Sequence, residues 1–172
     1  ISTFRSVDIS KSIVSPNQLH FITPSLVFIF VLFSLYFANL KPLRASNALI
    51  NTMKNFSSQG ANTSLMLASF DKVFSYRTFG TGEAREQLVQ YANAALASDI
   101  STADKIKVVE KTISEFKKQI EDNPDNARIY VMLGNIYAST GLLDDALKTL
   151  EKALELSPKK QQIYFILADV YL

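Results

Sequence analysis

The longest uninterrupted apolar pattern lies near the N-terminal end of the chain. The segment from Phe21 to Leu40, FITPSLVFIFVLFSLYFANL, holds twenty residues without a charge. As a helix it would rise about 30 Å, the thickness of the hydrocarbon core of a bilayer. Its centre is apolar on every side of a helical wheel apart from Ser34, unlike the one-sided pattern of a soluble surface helix. The pattern predicts a transmembrane helix over residues 21–40, with Pro24 in its first turn, where proline costs least.

Two other structures fit the same segment. It could be the buried helix of a soluble core, or the apolar part of a secretory signal peptide. The segment is long for a signal peptide, twenty residues precede it, and no clear Ala-x-Ala cleavage site follows it. With the transmembrane reading, residues 1–20 are an N-terminal flank or the end of a loop.

Basic residues are slightly more numerous after this segment than before it. Lys41, Arg44 and Lys54 follow it, whereas Arg5 and Lys11 precede it. Because loops rich in Lys and Arg stay on the cytoplasmic side, this bias predicts a cytoplasmic C-terminal part. Further spans upstream would override so small a difference.

The remainder of the chain has the period of amphipathic helices, with apolar residues three and four positions apart. Breaks fall at SSQGANTS, FGTG and EDNPDN, which begin at residues 57, 79 and 121. We predict a helical connector over residues 45–80, a degenerate repeat-like hairpin over residues 83–122 and a further array over residues 123–172. The predicted fold class is all-α, with one transmembrane helix followed by an array of α-helical hairpins.

The apolar stripes predict which side of each helix is buried. For the helix that ends the connector we expect Leu65, Ala68 and Val73, with Phe70 and Phe74 as further candidates. For the helix from Glu83 to Ala97 we expect Leu88, Tyr91, Ala92, Ala95 and Leu96. For the next helix, which Ser101 is predicted to cap, we expect Ile106, Val109, Ile113, Phe116 and Ile120. Its last eight residues, EFKKQIED, are predicted to be an exposed charged face with local ion pairs.

Composition and net charge limit the kinds of partner, metal site and cofactor that we predict for this chain. The net charge is +2 and Lys alternates with Asp and Glu in the C-terminal half, so no nucleic acid partner is predicted. The chain has no Cys and a single His, His20, so we predict no metal site and no cofactor. No residue is assigned a catalytic role.

A repeat with a period of 34 residues gives the strongest signal. This shift superimposes Tyr130 on Tyr164 and Leu133 on Leu167. The segment resembles the tetratricopeptide repeat family, whose pattern is an aromatic residue, Leu-Gly, Tyr, Ala, a large apolar residue, Ala and Pro. The matching residues are Tyr130, Leu133, Gly134, Tyr137, Ala146, Leu150, Ala153 and Pro158. One whole repeat and the first helix of another are covered, and we expect the natural protein to continue past Leu172.

The resemblance implies a protein or peptide partner, bound by the inner face of the first helix of each repeat. The residues expected there are Arg128, Val131, Asn135, Ala138, Gln162, Phe165 and Asp169. Family members that clamp a terminal carboxylate use Lys and Arg at places where this chain has Val131 and Phe165. A carboxylate clamp on this face is therefore not expected.

The order of segments has a second resemblance. An apolar span, a junction with Asn39, Lys41 and Pro42, and a helix with the motif G-x-x-E-x-R-E-Q-L lead into repeats in bacterial O-antigen ligase-like or polymerase-like membrane proteins. The residues of this chain that are compared with the motif are Gly82, Glu83, Arg85, Glu86, Gln87 and Leu88, with Gly82 directly before Glu83 rather than three positions before it. The resemblance implies a bacterial inner membrane protein with its active site upstream of this chain. An undecaprenyl-linked glycan is a partner only if the parent protein is such a ligase, so whether it is an enzyme stays open.

Overall fold

A computed structural model describes residues 16–57 and 62–172. Every regular element in these two ranges is helical, which confirms the predicted all-α class. Its helices are α1 (Pro16–Leu35), a π-helical turn (Tyr36–Leu40), α2 (Lys41–Ser57), α3 (Thr63–Ser75), α4 (Thr81–Ala97), α5 (Thr102–Asp122), α6 (Ala127–Ser139), α7 (Leu143–Leu156) and α8 (Gln161–Tyr171). The chain divides into two compact units, one ending at Leu43 and one starting at Arg44. Most of the predicted N-terminal flank lies outside the described residues.

The first unit contains α1 and the π-helical turn, which hold the apolar segment of the chain. Within the described residues, Ile22–Phe56 is the one helical stretch long and apolar enough to cross a membrane, with a mean hydropathy of 1.9 in its most apolar window and none of that window buried. This exposure argues against the buried core helix, whereas a membrane span and a signal sequence both fit. The helix begins at Pro16, so Pro24 lies inside it rather than in its first turn as predicted. An interior proline removes one helix hydrogen bond.

The second unit has its own hydrophobic core. Phe70 of α3, Leu88 of α4 and Phe116 of α5 are completely buried in it. Tyr91 contacts Phe70 and Phe56, with ring centroids 6.1 and 5.4 Å apart, and so links α4 to α3 and α2. The predicted buried residues of α4 are confirmed, since Leu88, Tyr91, Ala92 and Ala95 are buried and Leu96 packs against the core.

Two predicted stripes are partly wrong. Leu65 and Ala68 are exposed, and Met66 faces the core from α3 instead. Ile106 is exposed, whereas Val108 and Thr112 of α5 are completely buried. The reason is that α5 contacts α3, α4 and α6, so a wider part of its surface is covered than a single stripe would predict.

The predicted start of α5 is confirmed. Ser101 Oγ accepts a hydrogen bond from the backbone N–H of Asp104 at 3.1 Å, which satisfies one of the N–H groups that a helix leaves without an internal partner. The helix ends at Asp122, just before the Asn123-Pro124 step, because a residue preceding proline disfavours the helical conformation.

Candidate protein-binding surface

The hairpin of α6 and α7 is the most closely packed pair of helices in the second unit. Gly134 of α6 lies directly against Leu150 of α7: a Cβ atom at position 134 would come within 2.7 Å of Leu150 Cγ. Ala146 and Ala153 of α7 are completely buried. Small residues at these places let the two helix backbones approach each other closely.

The turn between α6 and α7 has a specific geometry. Gly141 has φ of 76°, in the left-handed region that glycine adopts without a steric penalty. The Leu142 N–H donates to the Tyr137 carbonyl at 2.9 Å and the Gly141 N–H donates to the Ala138 carbonyl at 3.1 Å. These two hydrogen bonds form a Schellman motif, which ends α6 and reverses the chain into α7.

One contact recurs at the period seen in the sequence. The Tyr130 hydroxyl donates to the Pro124 carbonyl at 2.9 Å, and the Tyr164 hydroxyl donates to the Pro158 carbonyl at 2.9 Å. Each tyrosine thereby holds the turn before its own helix. The repeat is therefore present in the hydrogen bonding as well as in the sequence.

These features define a helical-hairpin repeat formed by α6 and α7, and α8 repeats the tyrosine contact of α6. Residues 127–160 match the tetratricopeptide repeat family. The match supports a tetratricopeptide repeat protein, as the sequence indicated. No curated protein matches the chain.

The residues expected on the inner face differ in accessibility. Val131 is only 3% exposed and belongs to the hydrophobic core, so it offers little surface to a ligand. Asn135 and Ala138 of α6 are half-buried. On α8, Gln162 and Asp169 are exposed.

Two further members of this set have informative surroundings. Phe165 is 70% exposed, although it is a large apolar residue. Arg128 Nη2 lies 2.6 Å from Glu86 Oε2, which links the start of α6 to α4. This ion pair raises the pKa of Arg128 above its ordinary value and keeps the guanidinium charged beside Glu86.

Glu86 belongs to the motif G-x-x-E-x-R-E-Q-L, and the structure shows what its residues contact. Leu88 fills the core. Gln87 Nε2 donates to Glu83 Oε1 at 3.0 Å within α4. Arg85 pairs with Glu115 and Asp122 of α5. Two positions of this motif therefore connect α4 to the helices that follow it.

A charged cavity of about 670 Å³ lies between α3, the N-terminal end of α4 and α5. Its basic lining residues are Arg77, Arg85, Lys111 and Lys118. Its acidic lining residues are Asp71, Glu115, Glu121 and Asp122. We refer to this site as the charged cavity.

Glu115 is the centre of the ion pairs in the charged cavity. Its carboxylate lies 3.4 Å from Arg85 Nε, 3.3 Å from Lys111 Nζ and 2.7 Å from Lys118 Nζ. Lys111 also contacts Asp71. The predicted local ion pair in EFKKQIED is therefore present, but Glu115 itself is 3% exposed and not part of an exposed face.

The ion pairs change the pKa values of two groups. Burial alone would raise the pKa of Glu115, but the hydrogen bond from Lys118 and the charges of Lys111 and Lys118 outweigh it, and the pKa is lowered. Burial alone would lower the pKa of Lys111, but Asp71 and Glu115 outweigh it, and the pKa is raised. Both groups are therefore held in their charged forms.

The charged cavity was not predicted from the sequence. Arg85 and Glu115 are 30 residues apart on different helices, and no local charge pattern encodes their pairing. One signal was present: Arg85 follows Ala84 and precedes Leu88 on the buried side of α4, where an arginine needs a carboxylate partner. Among the described residues, no group of three or more His, Asp or Glu side chains is arranged to hold a metal ion.

Proposed function

We propose that this chain is a membrane-attached interaction module that binds a protein or peptide on the inner face of its repeat helices. The observation that supports the proposal best is the repeat unit of α6 and α7 followed by α8, on which Phe165 is exposed. Exposed aromatic residues beside polar side chains are typical of binding surfaces. Asn135, Gln162 and Asp169 supply the polar side chains, and Arg128 lies at the edge, held by Glu86.

We propose that the apolar helix is the membrane anchor. Ile22–Phe56 contains an apolar window without any buried residue, and such a surface is stable in hydrocarbon rather than in water. The basic residues that follow the span favour a cytoplasmic repeat array, and the bacterial inner membrane is the location that the ligase-like resemblance favours.

Site-specific photocrosslinking tests the inner face. A photoreactive side chain at position 165 in the detergent-solubilised full chain should crosslink a protein from the native membrane extract. The same group at position 151, an exposed site on α7, should not crosslink that protein. In a separate pull-down without the photoreactive group, Asn135→Ala combined with Phe165→Ala should abolish capture of the same protein. Equal crosslinking from both positions, or capture by the double variant, would exclude this face.

Carbonate extraction tests the anchor. The full chain should stay in the membrane pellet, and mass spectrometry of the purified protein should show that residues 21–40 are retained. Release into the supernatant would rule out a membrane span. Removal of the apolar helix from the mature protein would identify a signal sequence instead.

A second candidate is supported by the order of the segments. An apolar helix precedes the junction at Asn39, Lys41 and Pro42, then the motif helix α4, then the repeat, as in O-antigen ligase-like proteins. In that case the array would recruit partners to a membrane glycosyltransferase acting on an undecaprenyl-linked glycan. The upstream reading frame is the test: several further spans and a large loop are expected, and a start codon directly before Ile1 would exclude the ligase.

A further inference from the structure

We propose that the charged cavity is a second docking site, which takes an acidic side chain of a protein partner. The proposal does not rest on the inner face of the repeat, because the cavity is formed by α3, α4 and α5. Its volume of about 670 Å³ is within the range of ligand pockets.

Charged side chains line both the buried floor and the solvent-exposed mouth of the charged cavity. Arg85 and Glu115 form the floor, since their side chains are 9% and 4% exposed. Asp122 and Asp71, the outer partners of Arg85 and Lys111, are 66% and 58% exposed. The lining therefore has equal numbers of cations and carboxylates, but only Glu115 among the paired carboxylates is buried.

The outer carboxylates are exchangeable. Ion pairs that involve a solvent-exposed partner contribute little to stability, and Arg85 Nη1 lies 3.5 Å from Asp122 Oδ2, longer than a strong charge-assisted hydrogen bond. The two contacts of Arg85 use two of the five N–H donors of its guanidinium. A carboxylate that enters the cavity can therefore replace Asp122 on Arg85 and Asp71 on Lys111, while Glu115 stays in place.

The rim of the cavity favours a protein as the source of that carboxylate. Phe79 directly follows the lining residue Thr78 and is 89% exposed. Its turn is held by hydrogen bonds from the Arg77 N–H to the Phe74 carbonyl at 3.1 Å and from the Thr81 N–H to the Thr78 carbonyl at 3.0 Å. An exposed aromatic residue two positions after the lining residue Arg77 is more typical of a protein interface than of a small-anion site. The expected partner segment carries an acidic residue next to an apolar one.

The first experiment uses glutarate as a carboxylate probe. The side-chain Nε–H resonance of isotope-labelled Arg85 is followed by NMR in the full chain in detergent. Saturable shifts are expected in the wild type. Asp122→Asn removes the competing carboxylate and should tighten glutarate binding by about two- to fivefold, the change that corresponds to one exposed ion pair. The control is Glu110→Gln, on the same helix but outside the cavity lining, which should bind as the wild type does.

The second experiment separates a protein segment from a free anion. A blocked tetrapeptide, Leu-Glu-Leu-Glu, should displace glutarate, and its Leu-Gln-Leu-Gln counterpart should not. Phe79→Ala should weaken binding of the acidic peptide and leave glutarate binding unchanged. Absence of any Arg85 shift with glutarate, weaker binding in Asp122→Asn, equal effects of the two peptides, or tighter binding of inorganic phosphate than of glutarate would each overturn the proposal.

Discussion

Gly134 is placed where no side chain larger than hydrogen fits. A methyl group there would contact Leu150 Cγ and Cδ2 at 2.7 and 2.8 Å, distances at which the Leu150 side chain or one of the two helices has to shift. The family pattern names a glycine at this place, and the contact with Leu150 is the physical reason. At this position the sequence pattern therefore predicted both the residue and the close packing around it.

We predict that Gly134→Ala lowers the free energy of unfolding by up to about 2 kcal/mol. Overpacking costs about 1–3 kcal/mol, and about 1 kcal/mol is regained because alanine favours the helix. Thermal unfolding of the full chain in detergent, followed by circular dichroism, measures the change. Gly82→Ala is the control, since its Cβ would meet only the flexible Gln119 amide, at 3.3 Å. A combined Gly134→Ala and Leu150→Val variant should lose less than the sum of the two single changes.

We predict that Glu115→Gln lowers the free energy of unfolding by about 3 kcal/mol at neutral pH, because removal of the carboxylate leaves the buried Arg85 charge poorly compensated. Glu110→Gln should change it by less than about 0.5 kcal/mol. Unfolding by urea, monitored through tyrosine fluorescence, compares the two variants with the wild type.

We predict that the difference in stability between the wild type and Glu115→Gln depends on pH. The pKa of Glu115 is lowered in the folded state, so its stabilising contribution is complete above the ordinary value of 4.5 and is lost as the pH falls through the folded pKa. The difference in stability between the wild type and Glu115→Gln should therefore shrink as the solution is acidified below that value. A difference independent of pH would show that Glu115 is not ionised in the folded protein.

At the scale of elements, periodicity predicted that helices form but not all the surfaces they bury. A stripe identifies one apolar side, which was sufficient for α4. For α5 it was not, because this helix is covered from several directions and buries Thr112 and Glu115 as well. A buried Glu115 depends on Arg85 on another helix, and no local pattern encodes a pairing across 30 residues. The inner face stays a prediction because it was inferred from the family and not from contacts.

We predict that two substitutions on α5 have very different effects on the stability of the fold. Phe116→Ala should cost about 3–5 kcal/mol, because it leaves a cavity in the core. Ile106→Ala should change stability by less than about 0.5 kcal/mol, because this side chain is exposed. Chemical denaturation of both variants tests the observed orientation of α5. A cost of 2 kcal/mol or more for Ile106→Ala would favour the stripe expected from the sequence instead.

At the scale of the whole molecule, the two units differ in whether their apolar side chains are exposed or buried. The first unit has an apolar helix with its side chains exposed, which is stable only if something other than water covers it. The second unit buries its apolar residues in one cluster that begins with the partly buried Leu49. The cluster contains none of the described residues of the apolar segment 21–40, so that segment contributes nothing to the core of the second unit.

We therefore predict that a fragment comprising residues 44–172 folds without the apolar helix. It should have the far-ultraviolet circular dichroism of a helical protein and a cooperative thermal transition with a midpoint close to that of the full chain in detergent, because the removed residues contribute nothing to the core cluster. Phe116→Ala in the fragment is the control, and it should lower the midpoint by about 10–20 °C, as a loss of about 3–5 kcal/mol requires. A fragment that is helical but melts without a cooperative transition would show that its core needs the first unit to pack. A cooperative transition that depends on Phe116 would show that the fold resides in the second unit alone, leaving the apolar helix free to serve as an anchor.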